Sequence, residues 1–336
     1  MPIKFLTGGD ISLLTKMEDL GQVYRDGGQP RDLLEIFRAR GCNCMRLRLW
    51  VGPSGEDIFV NDLAYTLALG RRIKEAGLDF LLDFHYADTW ADPGAQPKPA
   101  AWANLPFDAL AAQVHDYSRD VITALRLGGA MPDIVQIGNE ITPGMLWPEG
   151  RAGGEHGFKA LAALLRAGIA GVEAGAQAGA GAHGPQIMIH CDRGGDSAGT
   201  EAFYDGITSQ GVPYDLIGLS FYPFWHGPLP RLEETLEDTA RRYGKPIIVV
   251  ETGYHYAGEP DKLGMTYPIT PQGQRQFLED LVAAVRRTPD GLGRGVLYWA
   301  PEWLAIDGLR SSWADQTLFD AGGHALPGLD SLGGEG

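Results

Sequence analysis

Short apolar runs rich in β-branched and aromatic residues recur along the chain, and between them apolar residues return at every third or fourth position. That is the mark of strands alternating with amphipathic helices. Eight runs predict strands: IKFLTGG (3–9), CMRLRLW (44–50), FLLDFHY (80–86), DIVQIGN (133–139), QIMIHCD (186–192), DLIGLSFY (215–222), PIIVVET (246–252) and GVLYWAP (295–301). Helix-like segments such as RDLLEIFRARG, DLAYTLALGRRIKEAG and LPRLEETLEDTARRYG separate them, several ending in glycine, a common helix stop. Alternation of this kind builds parallel βαβ units. Eight units suit a closed barrel, which leaves no open sheet edge, better than a doubly wound sheet. The fold class expected is therefore α/β, a (β/α)8 TIM barrel forming a single domain over residues 1–330, with SLGGEG (331–336) as a flexible C-terminal tail.

Composition narrows the partners. The chain has 336 residues, 44% hydrophobic and 21% charged, enough apolar surface for one large core. Its 28 lysine and arginine residues against 43 aspartate and glutamate residues give a net charge of −15, which repels polyphosphates and anionic lipid. Nucleic acid and membrane are excluded as partners on that ground, and a neutral ligand is favoured. No stretch approaches the roughly 18 apolar residues of a spanning helix. The N-terminus, MPIKFLTGGD, enters the first strand without a basic segment, apolar run and cleavage site, which predicts a cytoplasmic protein, or a secreted one if a leader has been removed. Cys42, Cys44 and Cys191 form no even framework and are expected as packed free thiols. GGDIS lacks the glycine spacing of a dinucleotide-binding turn. The Ala/Gly-rich AGVEAGAQAGAGAHGPQ (170–186) reads as a helix end and loop.

Catalytic groups of such barrels gather where the strands end. Here those ends are polar: Arg46 and Arg48 on the second strand, Asp83, His85 and Tyr86 on the third, Asn139 and Glu140 after the fourth, Tyr222 on the sixth, Glu251 on the seventh, Tyr298 and Trp299 on the eighth. Strands four and seven face each other across the ring, so Glu140 and Glu251 converge despite lying 111 positions apart. Two such carboxylates do glycosidic chemistry without a metal: one stays protonated as acid, and the other attacks the anomeric carbon when about 5–5.5 Å away, retaining configuration. For either glutamate alone a rim salt bridge is the competing reading. Arg46 beside Glu251 keeps that carboxylate ionised, or forms a structural ion pair. Asn139 offers its amide to a sugar 2-hydroxyl, Tyr222 orients Glu251, and His85 donates to a sugar hydroxyl or is a satisfied rim histidine. Trp90, Trp102, Trp147, Trp225 and Trp299 all follow strands, and sugars pack their C–H faces on such rings, so they predict a groove, any single one being open to core packing. No metal or cofactor is expected, Asp83 and His85 being read as facing opposite sides of their strand.

These motifs resemble the endo-β-1,4-galactanases of glycoside hydrolase family 53 over almost the whole chain. The likeness runs through GGDIS (8–12), MRLRLW (45–50), LLDFHYADTWADPGAQ (81–96), QIGNEITPGMLWPEG (136–150), SFYPFWHG (220–227), VVETGY (249–254), LYWAPEW (297–303) and SSWADQTLFDAGGHALPGL (311–329). The resemblance implies retaining hydrolysis of β-1,4-galactan or arabinogalactan, with Glu140 as proton donor, Glu251 as nucleophile, and Asp10, Arg46, His85, Asn139, Tyr222 and Trp299 lining the cleavage subsite. Family members usually carry Asn at Pro143 and Glu at Ala300, so the sugar contacts are expected to differ there, with Glu302 as a compensating group. Some bacterial members hold calcium in a loop after strand seven, where this chain reads HYAGEPDKLGMTYPIT (255–270), so no structural calcium is expected. An oligosaccharide-trimming β-galactosidase or another retaining β-glycanase of the same clan is the alternative enzyme. A non-catalytic sugar-binding barrel is the reading from another class. The sequence leaves oligomeric state open.

Overall fold

The computed structural model describes residues 4–153, 157–177, 184–259 and 265–333. Each predicted strand is found: β1 (Leu6–Asp10), β2 (Cys44–Leu49), β3 (Asp79–Phe84), β4 (Ile134–Ile137), β5 (Gln186–Cys191), β6 (Leu216–Phe221), β7 (Ile247–Thr252) and β8 (Gly293–Trp299). All neighbours pair in parallel in sequence order, and β8 returns to β1 with Leu6 opposite Gly295 and Asp10 opposite Trp299, closing the barrel. At least one helix follows each strand; besides the short Leu14–Asp19 and Pro223–His226, these are α1 (Leu33–Ala39), α2 (Leu63–Glu75), α3 (Phe107–Leu127), α4 (Gly157–Ala176), α5 (Ser197–Ser209), α6 (Leu229–Tyr243), α7 (Pro271–Arg286) and α8 (Gly328–Gly333). Local chemistry sets their starts. Asp32, Asp62, Asp196 and Thr270 each cap a helix by accepting backbone N–H groups of its first turn.

Alternation along the strands divides the core into two separate clusters. Leu6, Cys44, Leu81, Ile134, Met188, Leu216, Ile248, Val250 and Leu297 point inward and fill the barrel floor. The alternate residues, such as Leu47, Leu82, Val135 and Ile189, pack under the helices. Advancing two residues from the floor on several strands reaches a polar tier: Arg46, Asp83, Gln136 and His190, all buried. The barrel is thus apolar below and charged above, and the site rests on the floor.

The Ala/Gly-rich segment begins as the helix end expected: α4 continues to Ala176, and its glycines let it lie against α3, where a Cβ on Gly171 would stand 2.2 Å from the His115 carbonyl oxygen and one on Gly175 2.5 Å from that of Arg119. Residues 178–183 lie outside the described residues. Gly171→Ala should therefore cost about 1–3 kcal/mol through overpacking against backbone that has no rotamer to yield. Denaturant unfolding checks this: the midpoint should fall while activity of the remaining folded protein is unchanged. One expectation needs correction: residues 331–333 are not part of a loose tail. They end α8, with Leu332 buried and Gly333 against Arg40 and Gly41, while 334–336 lie outside the described residues. The segment 255–270, read as lacking a calcium loop, is described except for 260–264.

Candidate active site

The polar tier is organised by one arginine. Arg46, 1% exposed, sends Nη1 to Asp10 Oδ2 at 2.8 Å, and Nη2 reaches Asp83 Oδ2, Asn139 Oδ1 and Glu251 Oε1, each at 2.8 Å. Burial works against its charge, but Asp83, Glu251 and Asp10 together hold it protonated. Burial likewise pushes the Asp83 carboxyl up, yet Arg46 and then His85 outweigh it and hold Asp83 below the usual range. One cation thus faces three carboxylates, and removing it would leave buried charges unpaired, which is costly.

Glu251 lies at the end of β7, where a register shift against Leu219 and Ser220 breaks the regular ladder. Its Oε1 meets Arg46, and its Oε2 accepts the Tyr222 hydroxyl at 3.0 Å. Glu140 follows β4 with a φ of 47°, a left-handed conformation uncommon outside glycine. The turn directs its backbone N–H to His190 Nδ1 at 3.4 Å, and its Oε1 accepts the Ser220 hydroxyl at 2.6 Å. Burial and then the charge of Glu251 raise Glu140 well above the ordinary carboxyl range, against the pull of Ser220. Burial, helped by the charges of Asp83 and Asp10, raises Glu251 as well, to about 7, with Arg46 and the Tyr222 hydroxyl pulling against the rise. Of the two, Glu140 keeps the proton.

Both glutamates line a cleft of about 470 Å3 at the C-terminal mouth of the barrel. Asp10, Arg46, His85, Trp90, Asn139, Tyr222, Trp225 and Trp299, all expected from the sequence, line it too. Trp299 stands edge-on to Trp313 at 4.6 Å and lies 6.0 Å from Trp90, making an aromatic wall, while Trp225, edge-on to Tyr222 at 5.0 Å, is 63% exposed at the rim. Trp303 and Trp313 belong to this wall and escape the sequence reading, because they sit in irregular chain after β8 with no period to place them. Arg48, which the sequence puts on its strand without a role, lines the cleft with its guanidinium 4.9 Å from the Trp50 ring and 4.6 Å from the Trp90 ring.

Other expectations change. Trp102 is buried against Tyr86 and Tyr117, and Trp147 packs under Arg151, so neither forms the groove. Asp83 and His85 share a strand face, as residues two apart must, and touch at 3.0 Å. His85 Nε2 faces Asp83 and its Nδ1 accepts the Ala91 N–H at 3.3 Å, so the ring lines the cleft without a spare N–H for a sugar. Glu302 does not stand in for the side chain missing at Ala300. It is fully buried outside the cleft lining, accepts the Leu13 N–H, and burial pushes its carboxyl up to about 8. Neither Pro143 nor Ala300 is among the lining residues.

Known proteins match over nearly the whole chain. The glycosyl hydrolase family 53 model matches residues 6–332. An uncharacterized protein in a bgaB 5′ region of Niallia circulans is 43% identical, covering 98% of this chain and 93% of that protein. Arabinogalactan endo-β-1,4-galactanase A of Aspergillus niger is 36% identical over 93% of this chain and 89% of its own. Among solved structures, the GH53 catalytic domain of Ignisphaera aggregans superposes with a TM-score of 0.90 at 33% identity, covering 99% of this chain and 96% of that one.

Proposed function

Because this chain belongs to glycosyl hydrolase family 53, we propose that it hydrolyses internal β-1,4-galactosidic bonds of galactan and arabinogalactan with retention of configuration, Glu140 acting as acid and base and Glu251 as nucleophile. The observation that carries the reading is the unequal support of two carboxyls in one cleft. Glu251 has a guanidinium at 2.8 Å and a phenol at 3.0 Å, whereas Glu140 has a neutral hydroxyl. A cation beside one of two buried carboxyls decides which gives up its proton first.

In the first step Glu251 attacks the anomeric carbon while Glu140 gives its proton to the departing glycosidic oxygen, leaving a glycosyl ester on Glu251. Esterification removes the negative charge that held Glu140 protonated, so its acidity rises. Glu140 then takes a proton from water, which attacks the same carbon and releases Glu251. Asn139 commits one amide N–H to the Ala91 carbonyl at 2.9 Å and keeps its other for the sugar 2-hydroxyl, a contact that strengthens in the oxocarbenium-like transition state. Trp90, Trp299, Trp303 and Trp313 receive the apolar sugar face.

Digesting β-1,4-galactan and galactotetraose side by side tests the substrate. The polymer should yield a spread of short oligosaccharides. Galactose alone from both would favour the trimming enzyme, and no shortening by folded protein would defeat both readings.

Tyr222→Phe gives a pH test. The Tyr222 hydroxyl stabilises the Glu251 carboxylate, so its loss raises that pKa. The acid limb of the kcat/KM profile should move to higher pH, and kcat/KM should fall about 10- to 100-fold, the worth of a hydrogen bond to a charged group.

A further inference from the structure

We infer that Ser220, backed by His190, is a positioning residue that fixes the proton of Glu140 on the carboxyl oxygen facing the cleft. The inference rests on the reading of Glu140 as acid and base. It follows from the direction of donors in a short buried chain. His190 is fully buried, and burial together with nearby Arg46 keeps its ring neutral, so it carries one N–H. Its Nδ1 faces the backbone N–H of Glu140 at 3.4 Å, which can only donate, and Gln136 Nε2 at 3.1 Å. Asn139 Oδ1 lies 3.1 Å from the same nitrogen, but its two lone pairs already take Arg46 Nη2 at 2.8 Å and Gln136 Nε2 at 3.3 Å. Nδ1 is therefore the acceptor, and the ring hydrogen sits on Nε2, 2.8 Å from Ser220 Oγ.

Ser220 then accepts from His190 and has a single hydrogen to give, to Glu140 Oε1 at 2.6 Å. Oε1 is occupied as an acceptor, so the acidic proton sits on Oε2, which makes no hydrogen bond among the described residues. In the opposite arrangement, Glu140 would point its proton at Ser220, away from the substrate, and its backbone N–H would face another N–H. The chain thus runs one way from barrel wall to cleft. It also steadies the carboxylate that Glu140 becomes after the first step, because the Ser220 hydrogen bond favours the charged form.

The test compares substrates that need an acid with one that does not. For galactan, Ser220→Ala should lower kcat/KM about tenfold or more, within the range for a hydrogen bond to a charged group. For a dinitrophenyl β-galactobioside, whose leaving group departs without a proton, kcat/KM should change less than about twofold. The alkaline limb for galactan should move to higher pH, since a group that favours the carboxylate is gone while Glu251, Asp192 and Arg46, the other charges felt by Glu140, remain. Ser220→Cys, nearly isosteric and a weaker donor, should shift both readouts the same way by less. Equal losses on both substrates, an unmoved alkaline limb, or a Cys variant matching wild type would overturn the inference. Glu140→Ala is measured in parallel. If it shows the leaving-group dependence and Ser220→Ala does not, the positioning role alone falls. If Glu140→Ala lacks it too, the acid assignment falls.

Discussion

Replacing Glu251 with glycine should cut galactan turnover on the order of 10⁵-fold, the scale seen when a nucleophile is deleted from an otherwise intact site. The protein should stay folded. Arg46 keeps Asp10 and Asp83 as partners at 2.8 Å, so the variant trades three anions around one cation for two and strands no charge. The vacated volume opens on the face of the sugar from which Glu251 attacks. Azide admitted there should react while Glu140 still protonates the leaving group, and the product should be the α-galactosyl azide, inverted relative to the substrate. Persistent hydrolysis, or a β-azide, would place the nucleophile elsewhere.

Glu140→Ala should behave differently in each respect. Loss of general acid help is expected to lower galactan kcat/KM by about 10²- to 10⁴-fold, with far less effect on a dinitrophenyl β-galactobioside. Glu251 still forms the glycosyl ester, so azide now attacks the ester from the opposite face and yields the β-galactosyl azide. The pH profile discriminates further. In the wild type, kcat/KM should rise as Glu251 loses its proton and fall as Glu140 loses its own, because burial and the charge of Glu251 hold Glu140 well above the ordinary range. In Glu140→Ala the alkaline limb should disappear and the acid limb remain. A profile with both limbs intact would contradict the assignment.

The barrel is readable because its strands announce themselves twice, by β-branched runs and by their polar ends. Glu140, Glu251 and Trp299 are readable for the same reason, since each stands where a strand stops. The support beneath them is harder. Gln136, His190 and Ser220 are polar residues flanked by apolar ones within their strands, and each carries the inward phase two or four residues past the floor residues Ile134, Met188 and Leu216. Counting that phase finds them, and puts Asp83 and His85 on one face. Trp303 and Trp313 give no such signal. They follow β8 in irregular chain, where tertiary contacts, with Trp299 for both and with Tyr222 and Phe224 for Trp313, fix their direction. Trp102 misleads because a tryptophan in a loop and one under a loop look alike in sequence. What places it in the core is a cluster with Tyr86, just past β3, and Tyr117 on α3, which close over it from either side in the chain.

The most direct measurement is proton NMR of galactan or galactotetraose during digestion, followed before mutarotation mixes the anomers. Double displacement through Glu251 and Glu140 predicts that the new reducing ends appear first as the β-anomer, with the α-anomer growing in later. First appearance of the α-anomer would mean a single displacement by water, and Glu251 would then not be the nucleophile.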